Sequence, residues 1–118
     1  MAELRVEGTD VVLHLSAAER LESVHGDLRE PRSAVQGVDI VEDAHSAADV
    51  LGVKVGTRLP GVVEVATVYA SQAKMFVAVH RDTPRGVRVR FAGADYDEWV
   101  VGCADPEATR EALVAPTA

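Results

Sequence analysis

The chain has 118 residues and a net charge of −7, and its composition is 47% hydrophobic and 26% charged. This length suits one domain with one hydrophobic core, and the composition argues against a disordered or fibrous chain. The longest apolar runs are far shorter than the roughly 20 residues that span a bilayer, so we expect no integral membrane segment. The acidic balance disfavours nucleic acid as a partner.

Cys103 is the single cysteine, so no internal disulfide can form. No paired histidine motif surrounds it, and no N-terminal segment is typical of a secretory signal. We therefore expect a cytoplasmic, non-enzymatic protein with no cofactor and one domain over residues 1–118.

The charges are unevenly distributed along the chain. Residues 1–53 carry 4 basic and 11 acidic residues, residues 54–90 carry 7 and 2, and residues 91–118 carry 1 and 6. The basic segment 54–90 therefore lies between two acidic flanks, and it is where an anion would bind.

The first third predicts a hairpin, a helix and two further strands. Alternating apolar residues on both sides of Gly8 indicate the hairpin, and the Ser16 to Glu19 spacing is a capping box for a helix over residues 17–24. Residues 27–32 are extended, with Pro31 at a strand end or sheet edge, and a strand follows over about residues 36–42.

Residues 44–61 are the least regular part of the chain. The Ser46 to Asp49 spacing favours one or two helical turns through Leu51, and the glycines and Pro60 that follow indicate a loop.

The last half predicts a three-strand meander, a final strand and a helix. The strands cover residues 62–70, 74–81 and 86–91, and the next one ends near Gly102 with a bulge or bend. Asp105 and Pro106 are typical of a helix start, and this helix runs to about Val114.

These elements predict an α+β fold that is mainly β. About seven or eight short strands with one terminal helix are typical of a small, strongly bent antiparallel sheet or partly open barrel that the C-terminal helix closes.

Two segments resemble bacterial pleckstrin-homology-like domains. They are the strand over residues 37–41, which follows residues 31–35, and the ending from Val100 to Glu107, which leads into a helix. The resemblance implies a partly open barrel of seven strands plugged by the C-terminal helix. The helix at residues 17–24 and the irregular stretch 44–61 depart from this pattern. Because one fold hosts many functions, the resemblance does not identify a ligand.

The meander suggests a charged row on its outer face. With Val79 opposite Val89, His80 meets Arg88 and Glu64 lies beside His80, with Arg90 one step along. Arg88, Arg90 and Lys74 then form either an anion-binding face or a solvated face whose charges pair across strands. Exposed charges more often pair, so we favour pairing.

Two other segments carry candidate ligands. Lys54 and Arg58 lie in the glycine-rich stretch 52–61, which lacks the Gly-Lys-Ser/Thr pattern of a phosphate loop, so a structural crossing loop is the favoured interpretation. His45 and Asp49 lie near Glu42 and Asp43, so a weak site for a divalent metal is geometrically possible. Typical metal sites contain more nitrogen or sulfur ligands, so we expect these side chains to face water instead.

Trp99 is either a core residue or, if exposed, an interface anchor. Three functional hypotheses remain, of which the third, an enzyme of unrecognised type, needs a concave pocket with convergent polar groups. The first is an interaction module that binds a protein partner or its own copies, as a homo-oligomer, through a sheet edge or barrel face. The second is small-anion or lipid-headgroup binding at the basic segment.

Overall fold

The computed structural model describes residues 2–23, 25–48, 51–59 and 62–114, and all structural statements below concern these residues. They form a three-stranded sheet, a six-stranded sheet and three α-helices, which confirms an α+β fold that is mainly β. No helix in these ranges is long and apolar enough to cross a bilayer.

The small sheet begins with the predicted hairpin. Strand β1 (Glu3–Glu7) pairs antiparallel with β2 (Asp10–His14), and β2 pairs antiparallel with β3 (Leu28–Pro31). Helix α1 (Ala17–Ser23) joins β2 to β3; the predicted helix end at Val24 lies outside the described residues. Pro31 ends β3, as expected for a residue without an amide hydrogen.

The large sheet contains six strands in the order β4-β8-β9-β7-β6-β5. Strands β7 and β9 are parallel, and every other neighbouring pair is antiparallel. The strands are β4 (Val35–Val41), β5 (Val53–Leu59), β6 (Val63–Tyr69), β7 (Lys74–His80), β8 (Gly86–Phe91) and β9 (Glu98–Gly102).

Both faces of the large sheet are apolar at its centre. One face packs against the small sheet in the main core, which includes Leu13, Phe76 and Trp99. The opposite face packs against α2 (Ala44–Ala48), whose Ala44 and Ala48 are fully buried beside Val77 and other central residues. Burial on both faces explains why the sequences of β6 and β7 are almost continuously apolar.

Helix α3 (Pro106–Val114) follows the last strand as predicted. The Asp105 carboxylate accepts a hydrogen bond from the Ala108 amide at 3.1 Å, which caps the helix. The helix packs against β1, β4 and β8. Arg110 Nε donates to the Val38 carbonyl of β4 at 2.9 Å, so α3 covers part of the β4 edge.

The predicted three-strand meander is wrong. Strands β6 and β7 do form a hairpin, but β9 lies between β7 and β8. Val79 therefore does not face Val89, because Val89 pairs with Trp99 on one side and Val38 on the other. The connection from β7 to β8 skips one position in the sheet, and local alternation carries no information about such a skip.

The interpretation of residues 44–61 also needs correction. The predicted helical turns are present as α2, but the residues that follow form the seven-residue strand β5 instead of a loop. Helix α2 is capped by Asp43, whose carboxylate accepts hydrogen bonds from the Ser46 amide and hydroxyl, rather than by Ser46. The register shift of the large sheet lies between Val35 and Gly37 in β4, not in β9.

The strands do not form the expected barrel. Nine strands are described rather than about seven, and they form two separate sheets that are not closed into a barrel. One sheet is mixed rather than antiparallel throughout, because β7 and β9 run parallel.

Candidate functional site

Arg88 and Arg90 lie on β8, on the face of the large sheet that carries α2. Arg90 Nε donates to Asp39 Oδ2 at 2.8 Å, and Arg88 Nε lies 3.4 Å from Glu98 Oε1. The hydrogen bond that Arg90 donates to the Asp39 carboxylate raises the pKa of Arg90. Both arginines therefore pair with carboxylates of neighbouring strands, as the solvated-face interpretation expects.

Lys74 lies at the start of β7, away from the two arginines in the sheet order. Its ammonium is 4.5 Å from the ring centroid of Tyr96 and 5.7 Å from that of Tyr69. These distances are typical of cation–π contacts. The structure thus separates Lys74 from the anion-binding set to which the sequence assigned it.

The predicted row of Glu64, His80 and Arg88 does not exist. Glu64 faces Val79 in the β6–β7 register, and its Oε1 accepts a hydrogen bond from Arg58 Nε at 2.9 Å. His80 points to the opposite face, where its Nε2 lies 2.8 Å from Glu19 Oε2. The error between Glu64 and His80 is a shift of one residue in the β6–β7 register, whereas the error between His80 and Arg88 arises because β9 lies between β7 and β8.

Trp99 is fully buried, so the structure shows the core alternative and not an exposed anchor. Its ring packs edge-on against Phe91 with centroids 4.7 Å apart. Within the described ranges, no group of three or more His, Cys, Asp or Glu side chains could hold a metal ion. Asp49, a member of the weighed metal cluster, lies outside those ranges.

A groove of about 360 Å³ lies between the start of β1 and the N-terminal end of α3. Cys103 lines it, and burial raises the pKa of its thiol, so the reactive thiolate is disfavoured. None of the six predicted binding residues lines this groove.

The structural feature with the clearest interaction chemistry is the outer edge of β5. This strand ends the six-stranded order, and it pairs with β6 along its whole length from Val53 opposite Tyr69 to Leu59 opposite Val63. An edge strand presents unpaired amide and carbonyl groups to any chain that can add a strand. The opposite edge strand, β4, is in contrast covered by α3.

The side chains around this edge are unusually apolar. Eight large hydrophobic side chains are strongly exposed among the described residues, and only Val114 lies elsewhere. Val53 is 68% exposed and Leu21 of α1 is 83% exposed. Large apolar surfaces exposed on a protein mark interaction sites. We call this surface the β5 patch, and it comprises Leu21, Leu51, Val53, Val55, Leu59, Val62 and Tyr69.

Helix α1 packs against the strand that carries most of the β5 patch. It packs against both β5 and β6, and Thr57 Oγ1 donates to the Glu22 carbonyl at 3.0 Å. Because Thr57 shares a face with Val53, Val55 and Leu59, this face of β5 lies on the α1 side of the sheet. Lys54 and Arg58 point to the other face, where Arg58 binds Glu64.

Sequence reasoning missed this site. Residues 53–59 alternate apolar and polar side chains, which is the strand signal, but Gly52, Gly56, Pro60 and Gly61 favoured a loop.

Comparisons of the chain with protein-family models, curated proteins and solved structures gave no significant match.

Proposed function

We propose that this protein is a non-enzymatic interaction module that binds a protein strand, from a partner or from another copy of itself, along the edge of β5. The observation that carries the proposal is the contrast between the two edges of the large sheet. Helix α3 covers β4, whereas β5 combines an unpaired backbone edge with the apolar β5 patch. Main-chain pairing supplies affinity in such complexes, and alternate side chains supply specificity.

The resemblance to bacterial pleckstrin-homology-like domains stays a prediction, as does a cytoplasmic location. An interaction function does not depend on the resemblance, because the argument rests on the exposed edge rather than on the fold family.

The substitution Val55→Lys tests the edge. A lysine in the middle of the exposed row keeps the backbone intact but places a strongly hydrated charge where a bound strand would pack, a device that natural edge strands use to prevent pairing. The wild type captures certain proteins from its host lysate. We expect the tagged Val55→Lys protein to capture at least ten times less of them, as measured by quantitative mass spectrometry.

The matched control is Gln72→Lys, which adds the same charge in the exposed turn between β6 and β7. It should capture the same proteins as the wild type, untagged copies of this chain included. Equal capture by the wild type and by Val55→Lys would contradict the proposal.

The anion-binding alternative also stays a prediction. No feature favours it over the first proposal, because Arg88, Arg90 and Arg58 each lie against a carboxylate. It predicts that Arg88→Glu combined with Arg90→Glu abolishes binding to phosphate or to anionic liposomes while the circular dichroism spectrum is unchanged. Unchanged binding by this variant would remove it.

A further inference from the structure

We propose that His14 is held as an imidazolium and acts as a proton-dependent clasp, which fastens the connection that contains α1 to strands β1 and β2 and opens as the pH rises. His14 ends β2, and its partner Asp27 lies directly before β3. The inference goes beyond the proposed function, because it concerns how the small sheet and α1 are held together and not what binds to β5.

Both ring nitrogens of His14 face a carboxylate. Its Nδ1 lies 2.9 Å from Asp27 Oδ2, and its Nε2 lies 2.5 Å from Glu7 Oε2. A neutral imidazole has one N–H donor and one unprotonated nitrogen, whereas an imidazolium has two donors. In either neutral tautomer, one carboxylate oxygen would face a nitrogen lone pair at hydrogen-bond distance, which is repulsive. The geometry therefore requires the doubly protonated ring.

The charges around His14 balance only when its ring is protonated. Among the described residues, the ion pairs around it join four carboxylates to three arginines; these are Glu3, Glu7, Asp10 and Asp27 with Arg5, Arg20 and Arg29. Glu3 also lies directly opposite His14 in the β1–β2 register. The imidazolium supplies the fourth positive charge, so loss of its proton leaves one negative charge in excess.

This environment stabilises the protonated ring. The hydrogen bond to Glu7 raises the pKa of His14 above its usual value of 6.5, and the hydrogen bond to Asp27 adds to the increase. Because the folded-state pKa lies above the unfolded value, the stabilisation is complete below about pH 6.5 and is lost as the pH rises through the folded-state pKa. The ring is 33% exposed, so water screens part of the effect.

The clasp joins three parts of the chain. Asp27 Oδ1 accepts hydrogen bonds from the Leu15 amide at 2.8 Å and from Arg20 of α1 at 3.1 Å. Glu7, the other carboxylate on the ring, belongs to β1. When the proton leaves His14, one of the two carboxylates loses its hydrogen bond to the ring. The connection from Leu15 to Asp27 is then less firmly attached to the small sheet.

Nuclear magnetic resonance titration of the histidine rings tests the protonation state in the full chain. At pH 7 the ¹⁵N shifts of the His14 ring should show two protonated nitrogens, and its titration midpoint should lie above 6.5. Asp27→Asn and Glu7→Gln each remove one negative charge and should each lower this midpoint by about half a unit or more. The matched control is Glu22→Gln, which removes a carboxylate of α1 outside this network and should leave the midpoint unchanged.

Hydrogen exchange of the Leu15 amide tests whether the clasp opens. Its protection factor, which corrects for the intrinsic pH dependence of exchange, should fall about threefold or more between about pH 6 and about pH 9 in the wild type. The His14→Gln protein has no titrating ring at this position. Its Leu15 protection should be lower than that of the wild type at the acidic end and nearly constant over the range.

Three results would overturn the inference. The first is a His14 midpoint at or below 6.5, and the second is a midpoint that neither Asp27→Asn nor Glu7→Gln lowers. The third is a Leu15 protection factor that does not change with pH in the wild type, because the proton would then not control the connection. None of these measurements involves β5, so the proposed function stands or fails separately.

Discussion

Glu19 shows at the residue scale how one buried carboxylate organises distant parts of the chain. Its side chain is 1% exposed, and its oxygens accept hydrogen bonds from the amides of Ser16 and Ala2, each at 2.9 Å. The Ser16 hydroxyl accepts in return from the Glu19 amide, which completes the predicted capping box. His80 of β7 supplies the further contact, so Glu19 joins α1, the start of β1 and the large sheet.

These contacts make stability depend on pH. Burial alone would raise the pKa of Glu19, but the hydrogen bonds from His80 and Ser16 outweigh it and hold the pKa at about 2. Because the folded-state pKa lies below the unfolded value, the stabilisation is complete above about pH 4.5 and is lost as the pH falls towards 2. The shift corresponds to about 3 kcal/mol of unfolding free energy.

We predict that Glu19→Gln lowers the free energy of unfolding at pH 7 by about 2 to 3 kcal/mol, since an amide cannot replace the charge-assisted hydrogen bonds. Urea unfolding at several pH values between 2 and 7 measures this difference. The wild type should lose its advantage over the variant as the pH approaches 2. A difference that stays constant over this range would contradict the assigned role of the carboxylate.

At the scale of elements, β5 depends on one glycine. Gly56 has φ of 142°, a conformation that other residues rarely adopt. A Cβ atom there would lie 2.3 Å from the Val65 carbonyl oxygen and 2.7 Å from Ala66 Cα. The glycine that suggested a loop is thus the residue that lets β5 approach β6 closely.

Gly56→Ala should therefore destabilise the protein by about 2 kcal/mol or more, because backbone atoms of β6 must move. Gly26→Ala is the matched control, since a Cβ atom at Gly26 meets nothing within 4 Å. Thermal unfolding of both variants measures the effect. Equal melting temperatures for the two variants would show that β5 is not packed against β6 as described.

The distance along the chain over which a structural signal acts explains what could be predicted from the sequence. Local signals located β1, β2, β6, β7 and β8 because alternation and turn residues act within a few positions. They located the capping box of α1 and the start of α3 for the same reason. The Glu19 contact with His80 spans 61 positions, and no local pattern encodes it. The β5 edge was hidden because its glycine and proline signals outweighed its alternation.

At the scale of the whole molecule, the order of strands decides which surfaces are available. Insertion of β9 between β7 and β8 separates the basic residues that the sequence grouped, and each arginine of β8 then lies beside a carboxylate from a neighbouring strand. The same order leaves β4 and β5 as the two edges of the large sheet. Because α3 folds back onto β4, the large sheet keeps one edge open, and most of the strongly exposed large apolar side chains of the described residues lie on β5 or on segments next to it.

Hydrogen–deuterium exchange followed by mass spectrometry tests this claim most directly. Comparison of a dilute with a concentrated sample, or of the protein with and without a captured partner, reports which amides become protected. The account predicts that added protection is concentrated in residues 53–59 and in α1, while β4 and the face that carries Arg88 and Arg90 are unchanged. Protection confined to that arginine face or to β4, or no change at β5, would contradict it.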